Sequence, residues 1–253
     1  MLRVEFERHL NSVLKPENFK DYAPNGLQVE GKDNIQRVVT GVTACQALID
    51  AAIDYQADAI VVHHGYFWKN EDPRVVGMKY RRLSSLIKQD INLFGYHLPL
   101  DAHPVLGNNA GMADAIGLSD RVGLQTGASI EQSIGIVGEL GVALSAEDFG
   151  LLVEKAVGRN ILFEQGHDRP IKRVALCTGG AQGYIEQAVD AQADVFITGE
   201  VSEQTIHIAR EMGIHFIAAG HHATERFGAQ SIARLLTSEW GLDAVFIDID
   251  SPA

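Results

Sequence analysis

The chemistry in this chain gathers at four short runs of imidazole and carboxylate: His63-His64-Gly65, His97-Leu98-Pro99-Leu100-Asp101, Gly199-Glu200-Val201 and His221-His222-Ala223-Thr224-Glu225. Histidine with Asp or Glu and no thiolate is a ligand set for a borderline-to-hard divalent ion such as Zn, Mn, Fe, Co or Ni, and ligand type does not choose among these. His221 and Glu225 are four positions apart. If a helix begins there, the two side chains share one face, one turn apart, as in other helix-borne metal pairs. His63 and His64 are adjacent at an expected strand end, where consecutive side chains leave on opposite sides, so they are expected to serve two neighbouring ions rather than chelate one. A carboxylate such as that of Glu225 can bridge two ions.

These runs need elements to position them, and the chain alternates β-branched runs with helical patterns throughout, which predicts an α/β fold. Strands are expected at Arg37–Thr43, Asp58–Val62, Ile91–Tyr96, Ile134–Val137, Arg173–Thr178, Asp194–Thr198, Ile214–Ala218 and Ala244–Ile249. Helices are expected at Val4–Leu14, Gln46–Gln56, Lys79–Gln89, Asn109–Ile116, Ala146–Val157, Gln182–Ala191, Glu203–Met212 and Ala223–Trp240, with Ser145 before Asp148 marking a helix start. Sliding the chain by 136 residues sets Arg37–Gly65 on Arg173–Val201 with nine identities in 29 positions, where chance gives roughly two. The shared Asp-x-Gln-Ala-Asp (Asp54–Asp58 and Asp190–Asp194) points to a duplicated strand–helix–strand unit and so to two similar α/β domains. A Gly-rich patch at Val122–Ser129 reads as their linker and sets the domains at 1–127 and 128–253. Each half holds two of the four polar runs, one after the second strand of the repeat and one after the strand that follows it; carboxyl ends of strands are where open α/β sheets place ligands.

Composition narrows the function. The formal net charge is −12 at pH 7, which disfavours general nucleic-acid binding. No stretch approaches the ~18 apolar residues of a membrane span and the N-terminus lacks a signal-peptide run, so a cytoplasmic protein is expected. Cys45 and Cys177 make no C-x-x-C and suit a reducing compartment. Cys177–Gly183 has glycines after a strand but neither the spacing nor the lysine of a phosphate loop, and reads as a tight turn. The basic cluster Lys69, Arg74, Lys79, Arg81 and Arg82 is read first as a solvated face and second as a surface for an anionic substrate. Tyr66-Phe67-Trp68 can stack a planar ring or pack an interface.

The runs Asp21–Gly31, Val61–Trp68, His97–Asp101, Phe196–His207 and Ala219–Arg226 together resemble the Nif-three-like family of dinuclear metal-centre proteins over nearly the whole chain. The resemblance implies two similar α/β domains with a two-metal site between them, assembled as a homohexameric ring. Carried over by position, the metal ligands are His63, His64, Asp101, His221 and Glu225, with Glu225 touching both ions. Many family members carry Thr-Asn where this chain has Leu98-Pro99, which puts any substrate contact from that stretch in question. Two adjacent dications generate hydroxide near neutral pH, so the expected activity is metal-dependent hydrolysis by a metal-bridging hydroxide, with His97 or Glu200 as general acid or base. The family's label, GTP cyclohydrolase I type 2, makes a nucleotide one possible small-molecule substrate. The competing expectation is a non-catalytic, ring-shaped metal-binding or interaction protein acting at DNA damage or under stress.

Overall fold

The computed structural model describes residues 1–253. In chain order the elements are α1 (Arg3–Leu14), β1 (Gly26–Val29), β2 (Arg37–Thr43), α2 (Gln46–Asp54), β3 (Ala59–His64), α3 (Gly77–Lys88), β4 (Asn92–Gly95) and α4 (Leu98–Ala102). There follow α5 (Asn108–Ala115), β5 (Leu118–Gly123), β6 (Ile136–Leu144), α6 (Ala146–Val157), β7 (Leu162–Glu164), β8 (Ile171–Leu176) and α7 (Ile185–Asp190). The chain ends with β9 (Val195–Thr198), α8 (Glu203–Met212), β10 (His215–Ala218), α9 (His221–Thr224), α10 (Arg226–Ser238) and β11 (Asp243–Phe246). No helix is long and apolar enough to cross a membrane.

Contacts divide the chain into two units, Met1–Leu100 with Gly228–Asp250, and Asp101–Phe227 with Ser251–Ala253. The cut expected near residue 127 falls inside the second unit. There the glycines do not link domains: β5 pairs antiparallel with β6, and Leu124 N–H donates to Gly135 O, so the Gly-rich patch lies in a hairpin connection. Nor does the segment Gly228–Asp250 stay with the second unit, because β11 pairs in parallel with β2, while Val245, Ile247 and Ile249 pack on the first unit's core.

The first unit is a five-stranded sheet in the order β1-β4-β3-β2-β11. Its central strands are apolar on both sides, as strands covered by helices on both faces must be. Val39, Ile60, Val62 and Leu93 pack against Leu48, Ile49 and Ala52 of α2 and Leu83 and Leu86 of α3. On the other side Phe94 meets Phe6 of α1 at 5.0 Å, and Thr40 Oγ1 donates to Ala229 O of α10. The second unit is a six-stranded sheet in the order β5-β6-β8-β9-β10-β7. Val195 and Ile197 face Phe149, Val153 and Val157 of α6, while the intervening Phe196 faces Ile185 and Ala188 of α7 and Ala209 of α8.

The two sheets share a block. β1-β4-β3-β2 and β7-β10-β9-β8 each consist of an antiparallel edge strand followed by three parallel strands. The repeated Asp explains the repeated motif. Asp58 Oδ2 accepts from Gln36 and Arg37 N–H at 2.9 and 3.0 Å, and Asp194 Oδ2 accepts from Lys172 and Arg173 N–H at 2.9 Å each. Each carboxylate thereby ties the start of one parallel strand to the start of the next. The Gln two residues before it is left-handed in both copies, with φ of 58° at Gln56 and 56° at Gln192, and reverses the chain out of the helix.

Candidate functional site

In the first unit the end of β3 and the loop leaving β4 bring His63, His64 and His97 together: one ring nitrogen from each lies within 4.8 Å of the others. The sequence reading that His63 and His64 point apart is corrected here, since their ring centroids are 4.4 Å apart. β3 ends at His64 and the chain turns away at Gly65; with no further strand residue to crowd it, the terminal imidazole can rotate toward its neighbour, whose Cα is only about 3.8 Å away. Each ring is oriented through Nδ1. His63 Nδ1 donates to Tyr96 O (3.1 Å), His97 Nδ1 to Asp21 Oδ1 (2.7 Å), and His64 Nδ1 lies 3.2 Å from Thr43 Oγ1. The nitrogen that each can offer an ion is therefore Nε2. Such partners on the other ring nitrogen are characteristic of metal-ligating histidines. Trp68 stands edge-on to His97 with ring centroids 4.9 Å apart.

In the second unit β8, β9 and β10 are parallel, so the loops following them emerge at one end of the sheet. As expected from the four-residue spacing, His221 and Glu225 meet: His221 Nε2 is 3.1 Å from Glu225 Oε1. His221 Nδ1 is 2.7 Å from Glu200 Oε1, so Glu200 stands against the imidazole as an orienting carboxylate. The hydrogen bond to Glu225, against the opposing effect of burial and with the help of both carboxylate charges, raises the His221 pKa to about 9. Gly179 makes room for this arrangement. Its φ is +73°, and a Cβ there would fall 2.1 Å from Glu225 Oε1.

Asp101 is held beside the same loop. Its Oδ1 accepts from Asn108 Nδ2 (2.9 Å) and Thr178 Oγ1 (3.4 Å), its backbone carbonyl accepts from Asn109 Nδ2 (2.9 Å), and Asn109 Oδ1 accepts Thr178 N–H (3.0 Å). Glu225 and Asp101 are buried, at 2% and 7% exposure. Buried carboxylate oxygens beside imidazole nitrogens are hard-to-borderline donors. The donor sets of both units thus fit divalent ions.

Sequence reasoning missed Asp21, Asn25, Asn108, Asn109 and Thr178, all of which hold candidate ligands or His97 in place. Only Asp21 and Asn25 lay in a run already singled out, and their spacing of four in a loop carries no helical meaning.

An α/β protein with oriented histidines and buried carboxylates at strand ends belongs, by architecture and donor set, to the candidate metal-binding proteins. The chain is a member of the Duf34/NIF3 (NGG1p interacting factor 3) family, whose model matches residues 1–252. It is 56% identical over 255 residues to a Yersinia pestis protein named "GTP cyclohydrolase 1 type 2 homolog", with all of both chains covered. Among solved structures it is similar to protein ybgI, described as of unknown function (TM-score 0.95, 48% identity, 100% of both chains). It is also similar to a protein from Thermus thermophilus (TM-score 0.90, 34% identity, 100% of both chains).

Proposed function

We propose that this protein is a metal-dependent hydrolase of a small molecule, with His63, His64, Asp101, His221 and Glu225 holding two divalent ions. The observation that carries this reading is the placement of the donor atoms: His63 has Nδ1 engaged by Tyr96 O and so presents Nε2, and His221 Nε2 lies 3.1 Å from Glu225 Oε1, where an ion would take the place of the proton between them. Bound divalent ions supply Lewis acidity and lower the pKa of water. The chain's own groups do the rest. Thr178, Asn108 and Asn109 fix Asp101, and Glu200 fixes the rotation of His221, so Glu200 acts through that ring. His97, not counted among the ligands, has its Nε2 beside His63 and His64 and exchanges a proton there with the reacting groups. Trp68 shields one side of His97 from solvent.

The proposal is tested by measuring turnover of GTP, other nucleotides, phosphoesters and amides by protein loaded with Zn, Mn, Fe, Co or Ni. GTP enters the panel because the Yersinia pestis relative's name contains it. Metal-dependent turnover abolished by Glu225→Gln is the expected result. Binding without turnover across the panel overturns the hydrolase and leaves a metal-binding interaction protein.

A further inference from the structure

We infer that Asp21 is a positioning residue for His97, fixing the ring tautomer in which Nδ1 carries the proton and Nε2 the lone pair. The inference rests on the reading that His97 moves a proton during hydrolysis. Asp21 is saturated with donors: Oδ1 accepts from His97 Nδ1 (2.7 Å) and Tyr22 N–H (2.6 Å), and Oδ2 accepts from Leu98 N–H (2.9 Å) and Asn25 Nδ2 (3.0 Å). Its side chain is 3% exposed. Burial by itself would raise the Asp21 pKa, but the bonds from His97 and Asn25 prevail and hold it down at about 2. With the carboxylate ionised and both oxygens accepting, the proton between the two residues belongs to Nδ1.

Asn25 completes the clamp. Its Oδ1 accepts His97 N–H at 2.8 Å, so Asp21 and Asn25 together take the backbone N–H groups of His97 and Leu98 and the ring of His97. The Leu98-Pro99 pair is compatible with this clamp, which uses only the backbone N–H of residue 98. Leu98 supplies the N–H that Asp21 needs, while Pro99 lacks one at the first turn of α4, where helical N–H groups have no partner within the helix. In hydrolysis the Nε2 of His97 takes one proton from the attacking water, whose oxygen bonds to the electrophile. It returns that proton to the leaving group as the bond to it breaks. Asp21 stays ionised throughout and stabilises the imidazolium formed in between.

The test is the tautomer of His97 in metal-free protein, read at one pH from two-bond nitrogen–proton correlations and assigned by the loss of its signals in H97Q. Asp21→Asn must set an amide NH2 either against His97 Nδ1 and Tyr22 N–H or against Leu98 N–H and Asn25 Nδ2. The parent is expected to carry the proton on Nδ1, D21N to shift His97 toward the Nε2–H tautomer, and Asn25→Ala to keep the parent tautomer. A parent ring protonated on Nε2 overturns the inference, as does a D21N ring unchanged while the Leu98 N–H keeps its hydrogen bond, the orientation that sets the amide NH2 against His97; the parent spectrum decides even if D21N does not fold. On a substrate found by the panel, D21N is expected to lower kcat about 10²–10⁴-fold with KM within about threefold. Absence of any turnover would sink the hydrolase and leave the tautomer result standing.

Discussion

Two imidazole–carboxylate pairs, one in each unit, have the same length and opposite surroundings. His97 with Asp21 and His221 with Glu200 both hold Nδ1 to oxygen at 2.7 Å. Asp21 is 3% exposed and takes four donors, whereas Glu200 is 47% exposed and its further contact is a long one of 3.4 Å from Gln182. The contrast shows that distance does not measure rigidity. The first carboxylate is locked by backbone on both oxygens, while the second can exchange for water at little cost, since exposed pairs are worth about 0–1 kcal/mol.

The strongest way to break this comparison is Asp21→Ala. It strands the Leu98 N–H and the His97 Nδ1–H in a half-buried loop, so stability is expected to fall by about 3 kcal/mol in urea unfolding. A loss below about 1 kcal/mol would mean that the clamp is not rigid. Next comes Gly179→Ala, which adds a Cβ 2.1 Å from Glu225 Oε1 at a φ of +73°. About 2 kcal/mol of thermal stability should go, together with metal affinity; unchanged metal binding would show that Glu225 can move aside freely.

A third comparison lies deeper in the repeat, where Asn92 and His215 hold equivalent places at the starts of β4 and β10. Asn92 Oδ1 accepts Gly31 N–H, and His215 Nδ1 accepts Gly166 N–H. Only the second can titrate. Burial, with the nearby His167 and against the opposing effect of Asp194, lowers the His215 pKa to about 4. Unfolded chains bind this proton near pH 6.5, whereas folded chains refuse it until about pH 4, so stability present above pH 6.5 is lost as the pH falls toward 4. The loss is on the order of 2 kcal/mol. His215→Asn should remove that dependence from unfolding curves recorded between about pH 7 and 4.5, and a dependence unchanged in the variant would assign it elsewhere. The smallest effect belongs to Glu200→Gln, expected to cost under about 1 kcal/mol of stability. A calorimetric loss as large as that of D21A would erase the difference between the pairs.

How much of this was legible beforehand follows from burial. β2 is bounded at Arg37 and Thr43 as expected, and α6 and α8 agree at both ends, because a strand covered on both faces and an amphipathic helix with a capping Ser write strong patterns. β1, β5 and β7 went unrecognised. All three lie at sheet edges, and β1 and β7 are only four and three residues long, so neither length nor alternation marks them. β11 was legible as a strand but not as part of the first sheet, since pairing partners distant in sequence leave no local trace. The candidate ligands were legible because they repeat at strand ends. Their supports were not: Asn108, Thr178 and Asp21 act through hydrogen bonds between loops far apart in the chain, and their residue types are common in any loop.

The central claim is that His63, His64, Asp101, His221 and Glu225 bind metal. Elemental analysis of protein purified without added metal, for the parent and for Glu225→Gln, tests it most directly. The account predicts about two divalent ions per chain in the parent, falling to about one or none in the variant. No stoichiometric metal in the parent, even after reconstitution with Zn, Mn, Fe, Co or Ni, would contradict it.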